Sequence, residues 1–346
     1  MGKRIILSII MCLMLFVVIF SQAMGEKIVG EEISTDSYIH SNGKSIFNGK
    51  KLNFMFFDGR IRSYFVHIPP SYDGETEVPM LILLHGGTDN GLIISKQSDM
   101  DAKADDEGFI AVYPNGAQGL FFPLLNRLLY GKAEGRWWNV EYCGLGPRLL
   151  NIDDVGFIDS IIERMQKEYS INSSRIYIAG FSNGAMLTYY AGAKLSHKIA
   201  AIAPVAGTIG GSPNAFRPIW TIPKPMDSVS AIIFHGFNDK IFLYEGGTIN
   251  PPWGVHKISV NDSVKFWVDH NDCNSTPKIN ISENGNVTSR TYVNGTNGSE
   301  VVLYTVLNGE HWWFGGSWEE GEDYDPIQEI SATDLIWEFF EKHPKV

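Results

Sequence analysis

Cysteine is scarce, three in 346 residues, and neither C-x-x-C nor H-E-x-x-H occurs. That excludes a disulfide-dense scaffold and the common zinc motifs, so no metal and no other cofactor is expected. Basic residues are outnumbered, 28 against 39, for a formal net charge of −11. Such a surface repels polyphosphate and anionic lipid, so nucleic acid is not an expected partner. No repeat and no interdomain linker interrupts the chain, which excludes solenoids and strings of modules. No apolar run reaches the roughly 20 residues of a membrane span. The longest, Ile5 to Phe20, follows Lys3 and Arg4 and precedes Ser21-Gln22-Ala23. This is signal-peptide grammar, giving a signal over 1–23 cut after Ala23. A secreted protein without stable membrane association is expected; the alternative is an uncleaved anchor over residues 5–20.

What is present is a globular α/β pattern, 44% apolar overall. Residues 24–50 read as a polar lead, and 51–346 as one catalytic domain. Met80 to Leu84, Phe109 to Tyr113, Arg175 to Ala179, Ile199 to Val205, Val229 to Phe234 and Val301 to Leu307 are short apolar runs. Such runs are strands buried on both faces. Arg62 to Ile68 alternates like an antiparallel strand before Pro69-Pro70. Between them, Val155 to Ser170 carries an apolar stripe at helical spacing, with Asp153 or Asp154 as cap. The last helix opens with Ser331 and Asp334 in capping-box spacing. Alternating strands and helices predict a mostly parallel central sheet with helices on both faces.

In "RIYIAGFSNGAML" the strand Arg175–Ala179 runs into Gly180-Phe181-Ser182-Asn183-Gly184 and then a helix. G-x-S-x-G at a strand-to-helix turn lifts a serine hydroxyl into the open, with small neighbours because strand and helix nearly touch. A serine needs a base, and the base needs a carboxylate to hold its tautomer. In this architecture the acid follows the serine and the histidine comes last. Asp239 sits just after the strand ending at Phe234, and His311 just after the strand ending at Leu307. Ser182, Asp239 and His311 are therefore the candidate triad. His85 and His235 end core strands and are expected to be buried and hydrogen-bonded. Oxyanion donors are expected from the backbone N–H of Asn183 and from the His85-Gly86-Gly87-Thr88 loop, with Gly87 preferred and Thr88 second.

The stretches "GRIRSYFVHIPPSY", "LILLHGG", "GFIAVYPNG", "NIDDVGFIDSII", "RIYIAGFSNGAML", "IAPVAG", "HGFNDKIFLYEGG", "FWVDHNDC", "GEHWW" and "IWEFFEKHP" occur in that order. Through them the chain, from about Asp58 to Pro344, resembles the secreted α/β-hydrolases grouped with polyhydroxybutyrate depolymerases and feruloyl or acetylxylan esterases. The resemblance implies the α/β-hydrolase fold, the triad Ser182, Asp239 and His311, and a serine carboxylic-ester hydrolase working through an acyl-serine. The expected substrates are feruloyl or acetyl esters of polysaccharide, or short hydroxyalkanoate polyesters. A serine peptidase on the same triad and a non-catalytic secreted carbohydrate-binding protein are the alternatives. Two departures stand out. Gly87 occupies a position where such proteins often carry cysteine. Ala117 to Arg136, rich in apolar residues, is inserted between "YPNG" and "WWN"; it is a candidate lid. Phe121, Phe122, Trp138 and Trp312 are candidate walls of a substrate pocket, and Trp137 and Trp313 are further aromatic candidates. Cys143 and Cys273 remain after signal cleavage and are a candidate disulfide in an oxidising compartment. The resemblance also implies that Cys273 is a recurrent family cysteine. Six of seven N-x-S/T sequons fall between Asn261 and Ser299, which predicts an exposed, glycosylated rim or hairpin.

Overall fold

A computed structural model of the chain describes residues 38–41, 44–47, 49–117, 135–142, 150–214, 216–249, 255–317 and 328–346. It divides into two units, Met1–Asn48 and Gly49–Val346. In the first, Tyr38–Ser41 and Lys44–Phe47 pair as an antiparallel hairpin. The expected signal, 1–23, lies outside the described residues.

The second unit is built on one mixed sheet. Its strands are β1 (Lys50–Phe57), β2 (Arg60–His67), β3 (Val78–Leu84), β4 (Ile110–Pro114), β5 (Ile171–Phe181), β6 (Ala201–Val205), β7 (Ser230–Gly236), β8 (Lys278–Ile281), β9 (Val287–Tyr292) and β10 (Val301–Val306). Their spatial order is β1-β2-β4-β3-β5-β6-β7-β10-β9-β8. From β4 through β10 every pairing is parallel. The flanking β1–β2 and β9–β8 hairpins are antiparallel. The β8–β9 hairpin is the Asn/Ser/Thr-rich segment, and all four residues of β8 are exposed.

The central strands are apolar throughout because both faces are covered. On one face Met80, Ile82 and Leu84 of β3 join Phe157 and Ile158 of α3 (Asp154–Glu168), Leu187 and Tyr189 of α4 (Asn183–Lys194), and Val264 and Trp267 of α5 (Val260–His270). α1 (Gly91–Ser98), α2 (Met100–Glu107) and α6 (Ala332–Lys342) cover the other face. There Phe109 stacks on Trp337 with ring centroids 3.9 Å apart, and Tyr177 on Phe340 at 4.5 Å. Each helix starts where its sequence allows. Asp153 caps α3 by accepting from the Gly156 N–H, and Ser331 caps α6 by accepting from Asp334. Asp154, the other cap candidate, turns inward and is buried. A second small sheet, ordered Trp220–Thr221, Gly210–Ser212, His256–Lys257, Gly247–Thr248, is formed by segments between β6 and α5. Among the described residues, no helix is long and apolar enough to cross a membrane.

Parallel strands all end at one edge of the sheet, so the loops after β3, β5, β7 and β10 converge there. Those loops carry His85–Thr88, Ser182, Asp239 and His311.

Candidate active site

Ser182 stands between β5 and α4 with φ 55° and ψ −117°, a conformation L-residues seldom adopt. The surroundings hold it there. Its N–H donates to Val205 O at 2.9 Å, and its carbonyl accepts from Met186 N–H at 3.1 Å. Gly184 must lack a side chain: a Cβ there would come 2.4 Å from Leu84 O and 2.5 Å from His85 O. Helix α4 thus starts against the backbone of the neighbouring loop, with its first N–H groups free of intrahelical acceptors.

The structure brings the three candidate residues into one chain of contacts. His311 Nε2 lies 2.8 Å from Ser182 Oγ, and His311 Nδ1 lies 2.7 Å from Asp239 Oδ2. Ser182 and His311 keep some exposure, whereas Asp239 is buried. Burial alone would raise the Asp239 pKa. The hydrogen bond and charge of His311 and the Phe242 N–H outweigh it and hold the carboxyl below its usual value. Asp239 Oδ1 accepts from the N–H groups of Ile241 and Phe242, both at 2.7 Å. The imidazole of His311 sits between two rings, Phe181 at 5.0 Å and Phe242 at 5.6 Å, the latter within 7° of parallel. The loops after β7 and β10 are stitched together, Phe237 N–H to Val306 O and Asn238 N–H to Gly309 O, each at 2.9 Å.

His235 and His85 are both fully buried. His235 donates from Nε2 to Phe242 O at 2.7 Å, and burial lowers its pKa. His85 donates from Nδ1 to Gly86 O at 2.6 Å and accepts the Gly116 N–H on Nε2 at 2.9 Å, which fixes one neutral tautomer. Burial pushes its pKa down to about 3.

The other half of the site is the His85–Thr88 loop and a strap, Trp137–Asn139, laid across it. Thr88 N–H donates to Arg136 O at 2.8 Å, so that donor is engaged. Gly87 is the better placed of the two oxyanion candidates. A Cβ on Gly87 would lie 2.5 Å from the Trp137 ring. Here is the physical reason for glycine where the resemblance suggested cysteine: an indole occupies that space. Asn183 clasps the strap, accepting Trp138 N–H on Oδ1 at 2.7 Å and donating from Nδ2 to Trp138 O at 3.3 Å. Its side chain is spent on position, and its backbone N–H stands in the first turn of α4 beside Ser182.

The expectation that Trp138 walls a substrate pocket is corrected. The indole is completely enclosed, packs tilted against the His85 ring at 4.7 Å and donates from Nε1 to His85 O at 2.9 Å. Trp137 and Trp312 are the partly exposed members of their pairs. Trp313 is buried and donates to Thr333 Oγ1. Phe121, Phe122 and the body of the insert lie outside the described residues. Its two ends do not: Ala117 and Trp137 form an isolated antiparallel bridge, so the insert leaves and returns beside the His85–Thr88 loop. Cys143 also lies outside the described residues, and Cys273 carries a thiol that donates to Ser299 O at 3.6 Å.

Sequence reading missed the anchor beneath the strap. Arg62 of β2 donates from Nη2 to Asp154 Oδ1 at 2.6 Å, and Asp154 Oδ2 accepts the Asn139 N–H at 2.7 Å. Both side chains are buried. "NIDD" advertised a helix cap, and nothing local marks its second aspartate as a partner for an arginine 92 positions away.

A profile of the phospholipase/carboxylesterase family matches residues 72–244. Feruloyl esterase B of Piromyces equi is 28% identical over 258 residues, 72% of this chain and 42% of that protein. The bifunctional acetylxylan esterase/xylanase XynS20E of Neocallimastix patriciarum is 31% identical over 168 residues, 48% of this chain and 20% of that one. The chain thus spans less than half the length of either relative. The solved acetyl xylan esterase of Aspergillus awamori superposes with a TM-score of 0.53 at 14% identity, covering 84% of this chain and 99% of that one. That likeness shows a shared α/β-hydrolase fold.

Proposed function

Since the chain belongs to the phospholipase/carboxylesterase family, we propose that it is a secreted serine esterase using Ser182, His311 and Asp239, on feruloyl or acetyl esters of polysaccharide or on hydroxyalkanoate polyester. The observation that carries the mechanism is the continuous contact Ser182 Oγ–His311 Nε2–His311 Nδ1–Asp239 Oδ2, at 2.8 and 2.7 Å. His311 takes the serine proton as Oγ bonds to the ester carbonyl carbon. Asp239, accepting at Nδ1, holds the tautomer that leaves Nε2 able to accept, and stabilises the imidazolium that forms. The carbonyl oxygen becomes an anion facing the N–H groups of Asn183 and Gly87. His311 returns the proton to the departing alcohol. Water, deprotonated by the same imidazole, then splits the acyl-serine.

Three features support the substrate reading. Two relatives of the chain are named as a feruloyl esterase and an acetylxylan esterase/xylanase. Phe237 and Ile241 are exposed apolar residues flanking the acid turn. The partly exposed Trp137 ring rests against Gly87. The insert rooted at Ala117 and Trp137 is read as a lid over the acyl side. Methyl ferulate, acetylated xylan, polyhydroxybutyrate, 4-nitrophenyl esters and matched amides are the discriminating panel. Hydrolysis of amides but not esters would overturn the reading. Trimming 118–134 to a short Gly-Ser link should lower kcat/KM about tenfold more for aromatic or long acyl groups than for acetate; an unchanged preference removes the lid role.

A further inference from the structure

Lys257 is buried, an expensive place for an ammonium unless it has work and partners there. Its Nζ donates to Ile241 O and sits 3.4 Å from the centre of the Phe242 ring. Ile241 and Phe242 are the two residues whose N–H groups hold Asp239 Oδ1. The ring of Phe242 is also the one stacked nearly parallel on His311. One side chain therefore grips the turn that places the acid, and its charge stands on a ring that contacts the base.

We propose that Lys257 is a positioning residue for the candidate triad, fixing the Asp239–Phe242 turn; this rests on the reading of Ser182, His311 and Asp239 as catalytic. Its bond to Ile241 O and its contact with the Phe242 ring hold the two residues whose N–H groups set Asp239 Oδ1. That grip sets where the acid sits, and a small displacement of a catalytic group is costly in rate.

Lys257→Met removes the grip, and Lys257→Arg keeps a cationic donor for Ile241 O and the Phe242 ring. In the methionine variant kcat should fall about 10- to 100-fold with KM within about threefold of wild type. The arginine variant should recover most of that kcat. A folded methionine variant with unchanged kcat overturns the proposal. So does an arginine variant as slow as the methionine one, or loss of fold in both Lys257→Met and Lys257→Gln, which makes the lysine structural only. Turnover surviving in Ser182→Ala would instead sink the triad reading.

Discussion

The two halves of the site are held in different ways. The triad half is assembled from residues directly following β5, β7 and β10, and its contacts are short hydrogen bonds between neighbouring loops. The half proposed for the oxyanion is a loop pressed under a strap, and its order comes from buried side chains packed around it. Asn183 reaches 45 positions to Trp138, His85 binds Gly116 and the Trp138 indole, and Arg62 reaches 92 positions to Asp154. Parallel topology alone suffices to gather three loop residues at one sheet edge. Placing two backbone N–H groups at an oxyanion requires buried side chains that fit one another. The triad half should therefore fail by loss of chemistry, and the oxyanion half by loss of geometry and stability.

Ser182→Ala breaks the triad half at its centre and should have the largest effect. Ester kcat should fall by about 10⁶ while the melting temperature stays near wild type. A fluorophosphonate probe should label wild-type Ser182 and nothing in the variant; labelling elsewhere would assign the nucleophile to another residue. Gly87→Ala tests the oxyanion half where it is tightest. The added Cβ must displace the Trp137 ring, and kcat should drop by about 10²-fold or more. Pairing it with Trp137→Ala should restore much of the loss on a small acetate ester. A fully active Gly87→Ala enzyme would move the oxyanion away from this loop.

Arg62→Met reaches the same half from below. It leaves Asp154 buried without its cation, and such orphaned charges cost about 3–5 kcal/mol. Denaturant unfolding should show that loss, and Asp154→Asn in the same chain should recover part of it, since the amide no longer brings a charge into the core. Burial already raises the Asp154 pKa in spite of Arg62, so the carboxylate is sensitive to losing its partner. An Arg62→Met protein as stable as wild type would make the pair dispensable.

The contrast also explains what could be read beforehand. The meeting of Ser182, Asp239 and His311 was legible because chemistry and topology coincide in local sequence: a strand, then a turn, then the polar side chain. The central strands were legible because burial on both faces leaves continuous apolar runs. Helices α1, α2 and α5 were not anticipated. α1 and α2 carry weak apolar periodicity, with "MDAKADDE" polar nearly throughout, and they are held by tertiary contact. α5 opens the sequon-bearing stretch that read as rim, with Asn261 in its first turn. Trp137 and Trp138 are adjacent and identical in type, and only the fold says which is enclosed. Lys257, in the dipeptide His256-Lys257, carries no local signal at all.

The smallest expected effect concerns acid stability, and it compares the halves through their two buried histidines. His85, under the oxyanion loop, has its pKa pushed to about 3 by burial, against an ordinary value of 6.5; His235, under the acid turn, is lowered by burial as well. In both cases the unfolded chain binds a proton that the folded chain refuses. Their contribution to stability is therefore complete above about pH 6.5 and is lost progressively as pH falls below it. Asp239, held below its usual value, adds a further loss at lower pH, below the carboxylate range of the unfolded chain. His85→Gln keeps a side chain able to accept the Gly116 N–H while removing the titration. Its melting temperature should lie below wild type at pH 7.5, because packing against Trp138 is imperfect, and the gap should narrow steadily toward pH 5. Parallel melting curves across that range would show that the His85 proton plays no part in the acid sensitivity of the oxyanion half.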